Sequence, residues 1–133
     1  MMIRILYVSQ AKSIDFNKIK DILSVSHRFN KKNDITGALI YEKGYFMQCL
    51  EGTESEVEDL YKKIIIDNRH DHIELISKET IQERNFHDWN ISLMNDNAYR
   101  ILDNKYSNNG IFDPYTLRPE QIIMMLEELS KVV

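Results

Sequence analysis

Ile35-Thr36-Gly37-Ala38-Leu39-Ile40-Tyr41-Glu42-Lys43-Gly44-Tyr45-Phe46-Met47-Gln48-Cys49-Leu50 is the stretch that decides the architecture. Ile35 to Tyr41 and Tyr45 to Leu50 are rich in β-branched and aromatic residues, and the short polar link between them, Glu42-Lys43-Gly44, ends in glycine. That pattern reads as a β-hairpin. Upstream, residues 2 to 9 alternate with a period of two, Ile3, Ile5 and Tyr7 on one face and Arg4, Leu6 and Val8 on the other, which predicts a core strand. Between that strand and the hairpin, past Ser13-Ile14-Asp15, Phe16, Ile19, Ile22, Leu23 and Ser26 recur at three- and four-residue steps. They predict a helix with one buried side, running to about Phe29 and stopped by Asn30-Lys31-Lys32-Asn33-Asp34.

Downstream of the hairpin, Thr53-Glu54-Ser55-Glu56 has the spacing of a capping box, in which Thr53 and Glu56 satisfy each other's free backbone donors. Val57, Leu60 and Ile64 continue the inner face of that helix to about Asp67, and Arg69 and His70 follow as cations suited to its negative pole. Ile73 to Ile81 and Trp89 to Met94 read as two more strands, separated by the polar Gln82 to Asp88. The order βαββαββ implies an α+β fold of ferredoxin-like type, a single antiparallel sheet with two helices on one face. A polar run rich in Asn, Asp and Tyr extends from Asn95 to Tyr115, and Pro119 opens a last amphipathic helix carrying Ile122, Met125, Leu126 and Leu129. That helix is expected to pack on the domain or on a second copy, so a homo-oligomer stays open.

The chain has 133 residues, enough for one domain, with 43% hydrophobic and 29% charged residues, as in ordinary globular proteins. Its net charge of −4 is spread along the sequence, without the basic stripe that binds nucleic acid. No run approaches the roughly 18 apolar residues of a membrane span, and the first residues lack a signal-peptide pattern, so no membrane partner and a cytoplasmic location are expected. Cys49 is the single cysteine and reads as a buried hydrophobe. There is no nucleotide-binding glycine loop, no G-x-S-x-G and no suggestive pair of carboxylates, so turnover chemistry is not expected.

Three stretches together carry a pattern: Leu6-Tyr7-Val8-Ser9-Gln10; Asn30 with Asp34-Ile35-Thr36-Gly37-Ala38-Leu39; and Gly44-Tyr45-Phe46-Met47-Gln48-Cys49-Leu50-Glu51-Gly52. With Asp67-Asn68-Arg69-His70 and Arg84-Asn85-Phe86-His87-Asp88-Trp89, they resemble the BLUF family, which senses blue light using FAD. The resemblance implies a photosensor domain over 1–95 and a C-terminal helical cap over 96–133, similar to stand-alone members of the family. It also implies FAD as a non-covalent chromophore and a separate downstream protein as partner, with no enzyme activity. The motifs address the isoalloxazine ring, which FMN and riboflavin also carry.

Taken alone, Tyr7 is a core tyrosine, Gln48 an edge or solvent-facing amide, Asn30 a C-cap or turn residue, and Ile22 simple core. The resemblance instead makes Tyr7 the donor of an electron and then a proton to the excited flavin. Gln48 becomes the bridge that rotates or tautomerises; a carboxamide carries an acceptor and a donor on one carbon, so reversing it swaps its hydrogen bonds without moving charge. By the same resemblance Asn30 bonds the polar edge of the ring, Ile22 and His70 sandwich it, and Ser26, Asp67 and Arg69 line or steady it, while Trp89 relays the signal or competes as electron donor. Phe29 and Ile91 depart from the family, where relatives often carry His or Asn and Met. Two other readings of the scaffold are an acylphosphatase-like enzyme using Ser9-Gln10-Ala11-Lys12 as an anion loop, and a flavin-free interaction domain.

Overall fold

A computed structural model describes residues 1–12, 16–87, 89–93 and 96–132. The elements are β1 (Met2–Ala11), α1 (Phe16–Lys32), β2 (Thr36–Glu42), β3 (Tyr45–Thr53), α2 (Glu54–Ile65), β4 (His70–Ile81), β5 (Trp89–Leu93), α3 (Asp96–Lys105), a 3-10 turn (Pro114–Thr116) and α4 (Pro119–Val132). Some side chains of α1, β5, α3 and α4, including those of Ile22, Ser26, Trp89 and Ile91, lie outside the described set.

The hairpin forms as its sequence predicts. Lys43 and Gly44 both take left-handed backbone angles (φ 51° and 86°), and Glu42 pairs with Tyr45. A two-residue turn of this kind has the twist that flanking strands need, and glycine takes the second position without strain. It sets a register in which Leu39 faces Gln48, and β1 then pairs Tyr7 with the same Gln48.

The sheet order is β4-β1-β3-β2-β5. Its first four strands are antiparallel neighbours in the ferredoxin-like arrangement. The fifth strand corrects the expectation of a wholly antiparallel sheet, because β5 runs parallel to β2, from Gly37 opposite Trp89 to Tyr41 opposite Leu93. Residues 82–87 lead the chain from one edge toward the other instead of turning back beside β4, which fixes this direction. That passage is pinned by Glu51, fully buried in β3, whose carboxylate accepts from the backbone N–H groups of Asn85 (3.0 Å) and Phe86 (2.7 Å) and pairs with Arg4 (2.7 Å). Arg84 adds bonds to Thr36 Oγ1 (2.7 Å) and to the carbonyl of Asp34 (3.0 Å).

Both faces of the sheet are covered. Ile3, Ile5, Ile35 and Leu50 pack with Val57, Phe29, Leu60 and Tyr61 under α1 and α2. On the opposite face Leu6, Val8, Ala38, Ile40, Met47 and Cys49 meet Leu102, Ile122, Met125, Leu126 and Leu129 of α3 and α4. The tail therefore packs on its own domain. Helix α3 lies inside the polar run after Asn95, where no helix was expected: among its described side chains Leu102 is buried and Ile101 packs on the same core, but the Asn and Asp residues around them favour turns. The capping box does not form either. Thr53 has extended N-cap geometry but no side-chain cap bond, and the N–H of Glu54 donates instead to the carbonyl of Met1 (3.0 Å).

Candidate functional site

Between the sheet and the two helices α1 and α2 lies a cavity of about 260 Å³. Its floor is the row Leu39, Gln48, Tyr7 across β2, β3 and β1, with Phe46 two residues before Gln48 on the same face. Helix α1 contributes Val25, Phe29 and Asn30; α2 contributes Leu60, Lys63 and Ile64. Asp67, Arg69 and His70 complete it from the α2–β4 connection and the first residue of β4.

Tyr7 and Gln48 are both buried, and the tyrosine hydroxyl donates to Gln48 Oε1. Burial, with smaller contributions from Tyr61 and Asp67, raises the Tyr7 phenol far above its ordinary range, so it is a neutral donor at any working pH. Gln48 is thus an interior amide on a central strand, not an edge or solvent-facing one. Asn30 is 1% exposed, and neither its amide nitrogen nor its oxygen has a hydrogen-bond partner. It stands within α1, which continues to Lys32, so it is not the helix C-cap.

His70 is held at both ring nitrogens, Nδ1 at 2.7 Å from Ser9 Oγ and Nε2 at 2.7 Å from the carbonyl oxygen of Ile64 near the end of α2. Its neighbour in sequence, Arg69, folds onto Asp67 with N–O distances of 2.5 to 3.1 Å. Bonding to Arg69 lowers the Asp67 carboxyl below its usual range. Lys63 Nζ stands 4.9 Å above the Phe29 ring, a cation–π contact beside the cavity.

Of the expected site residues, Tyr7, Asn30, Gln48, Asp67, Arg69 and His70 come together around this one cavity. The side chains of Ile22, Ser26 and Trp89 lie outside the described residues; the backbone of Trp89 pairs with Gly37. Leu39, Phe46, Val25, Leu60, Lys63 and Ile64 were not singled out from the sequence. Two of them were within reach: counting back from the Lys43-Gly44 turn puts Leu39 opposite Gln48, and a period of two puts Phe46 on its face. The proposed anion loop is absent, because Ser9, Gln10 and Ala11 belong to β1, where Gln10 pairs with Tyr45 and Asp71. Among the described residues, no three or more His, Cys, Asp or Glu side chains stand together as a metal site would require.

A pocket with apolar walls and a few converging polar groups is the usual form of a small-molecule site, and this volume lies just under the usual lower limit of roughly 300 Å³. The unpaired Asn30 amide, the Tyr7–Gln48 bond and the cations Lys63 and Arg69 fit a flat ring with a polar edge and an anionic arm, which is the chemistry of FAD.

Comparison with known proteins agrees. The family described as sensors of blue light using FAD matches residues 2–92. The chain is 34% identical over 71 residues to the blue light- and temperature-regulated antirepressor BluF of Escherichia coli (strain K12), covering 53% of this chain and 18% of that protein. It is 37% identical over 79 residues to photoactivated adenylate cyclase subunit beta of Euglena longa, covering 59% of this chain and 9% of that one. The chain thus spans less than a fifth of the length of either relative. Among solved structures, the photo-activated state of BlsA superposes with a TM-score of 0.83 at 32% identity, covering 98% of this chain and 95% of that one. No helix among the described residues is long and apolar enough to cross a membrane. What the chain shares with these proteins is a light-sensing domain; its cofactor is FAD, and the chain belongs to the BLUF family.

Proposed function

We propose that this chain is a blue-light photoreceptor in which Tyr7 and Gln48 are the light-responsive pair. The observation that carries the reading is the bond from the Tyr7 hydroxyl to Gln48 Oε1 inside a cavity lined by both. Bound FAD supplies absorption in the blue and, when excited, an electron acceptor. Tyr7 is an electron-rich phenol whose proton is held tightly until the ring loses an electron, and then becomes strongly acidic. The Gln48 oxygen is already in place to receive it. Gln48 then rotates or tautomerises, so that it offers a different hydrogen bond on its ligand side, and return of the electron and proton to Tyr7 restores the starting state. No net bond is made or broken over the cycle.

The other residues have supporting roles in this reading. Asn30 bonds the polar edge of the ring, Ile22 and His70 enclose its faces, and Asp67 and Arg69 steady the flavin side chain, with Ser26 along the wall. Trp89 serves as relay or competing donor. The changed surface, at β5 and the C-terminal helices, is offered to a separate protein in the cytoplasm, and the outer side of α4, where Met124 is exposed, is available to a second copy. The test is the visible spectrum of the purified protein in the dark, just after blue light, and through recovery. A flavin band that moves slightly to the red and returns is the expected result, and Gln48→Leu is expected to abolish the reversible shift. A protein that takes up no flavin when it is added back, or a Gln48→Leu variant that still shifts and recovers, would sink the proposal.

A further inference from the structure

Ser9 lies two residues beyond Tyr7 on β1, so both point to the same side of the sheet, and Ser9 is fully buried. Its hydroxyl oxygen is 2.7 Å from His70 Nδ1, while His70 Nε2 is 2.7 Å from the Ile64 carbonyl oxygen. A carbonyl only accepts, so the ring hydrogen belongs on Nε2. In the neutral imidazole Nδ1 is then the acceptor, and the Ser9 hydroxyl donates to it. The same ring stands edge-on to Tyr7 (centroids 6.4 Å apart, 70° between planes) and to Phe46 (6.2 Å, 84°).

We propose that Ser9 is a positioning residue of the flavin pocket, whose hydroxyl occupies the Nδ1 lone pair of the Nε2–H tautomer that the Ile64 carbonyl selects and so keeps the imidazole out of proton exchange with the Tyr7–Gln48 pair. An imidazole with a free nitrogen lone pair is an effective general base. His70 is in ring contact with the phenol that has to release and recover one proton per cycle. With Nδ1 occupied by Ser9 and Nε2 by Ile64, the proton of Tyr7 is left to Gln48, the group the phenol is bonded to. The arrangement also ties β1, the start of β4 and the end of α2 to one ring, which sets the angle at which that ring meets the cavity. The tautomer assignment stands on the protein alone; its consequence for recovery rests on the photoreceptor reading.

The experiment is nitrogen-15 NMR of histidine-labelled apoprotein, with His70 assigned by its loss in His70→Gln, followed by dark recovery of the flavin-loaded protein. The wild type is expected to show one His70 pattern, with Nδ1 at the unprotonated position and Nε2 at the protonated one. In Ser9→Ala the Nδ1 signal is expected to stay on the unprotonated side and to move further downfield as its hydrogen bond is lost, and Ser9→Thr to restore it. Recovery after blue light is expected to quicken by about tenfold in Ser9→Ala, as a second acceptor opens, and to return in Ser9→Thr. A wild-type pattern with the hydrogen on Nδ1, an unchanged Nδ1 position in Ser9→Ala, or an unchanged recovery rate would each overturn the proposal. Should Ser9→Ala fail to fold, the same two readings are taken on Ser9→Cys, whose thiol is only a weak donor. Absence of any light-induced shift in the wild type would instead remove the photoreceptor reading, leaving the NMR result to decide the role of Ser9.

Discussion

The carboxamide of Asn30 lies buried in the cavity wall with its nitrogen and oxygen both unpaired. Leaving a polar group in that condition costs about 1–3 kcal/mol, so the ligand-free protein holds a penalty that a bound edge with a matching donor and acceptor removes. The two states therefore respond oppositely to an apolar replacement of similar size. Asn30→Leu is expected to raise the melting temperature of the apoprotein while weakening flavin binding by about tenfold, which corresponds to about 1.4 kcal/mol. Thermal melts of the apoprotein and a flavin fluorescence titration check the two halves. A variant that melts lower and binds as before would make Asn30 a structural residue with no part in recognition.

At the scale of elements, α3 is held to α4 by a clasp on Glu128. Its carboxylate accepts from Lys105 (2.8 Å) and from the hydroxyl of Tyr106 (2.6 Å). Bonding to Lys105 first and Tyr106 second lowers the Glu128 carboxyl below its usual range. Because the folded value is the depressed one, the clasp contributes fully above about pH 4.3, the ordinary glutamate value, and its contribution is lost as pH falls through the lower folded value. The melting temperature of the wild type is thus expected to drop more steeply on acidification below that point than that of Glu128→Gln, with the two curves converging at the acid end. Parallel curves would show that the clasp is not coupled to folding. Strand β1, the hairpin and α2 are legible because their apolar residues repeat at the period of the element, and even the Leu39–Gln48 register follows from the turn. Helix α3 is harder to read, since Ile101 and Leu102, which reach the core, stand among Asn and Asp residues that favour turns. The direction of β5 is set by Glu51 catching two backbone N–H groups some 35 residues away, a contact that no local pattern announces. In the site, Tyr7, Asn30, Gln48 and His70 are legible through family resemblance, whereas the bond of Ser9 to His70 spans 61 residues and a serine on a strand carries no signal of its partner.

Across the whole molecule, the sheet is one layer between two dissimilar ones. Along β3, Gln48 faces the cavity while its neighbours Met47 and Cys49 face α3 and α4, so the residue proposed to respond to light and those that carry the C-terminal cap share one strand backbone. A cap of this kind is integral to the fold. Leu6, Val8, Ala38, Ile40, Met47 and Cys49 are each at most 1% exposed in the intact chain, and removal of residues 96–133 would uncover much of that face. A large apolar side chain gains about 1.5–3 kcal/mol from full burial, and a domain has only about 5–15 kcal/mol of net stability, so several uncovered together exceed what the remaining layer supplies. The fragment 1–95 is expected to be unfolded or aggregated, as read by circular dichroism and size exclusion. Met125→Ala in the full chain is expected to lose about 2–5 kcal/mol in denaturant unfolding while leaving the dark flavin band where it was, because Met125 packs on the face away from the cavity. A 1–95 fragment that melts cooperatively and still shifts under blue light would show that the cap is a separable attachment, and output would then have to leave the sensor through the α1–α2 face or an edge of the sheet.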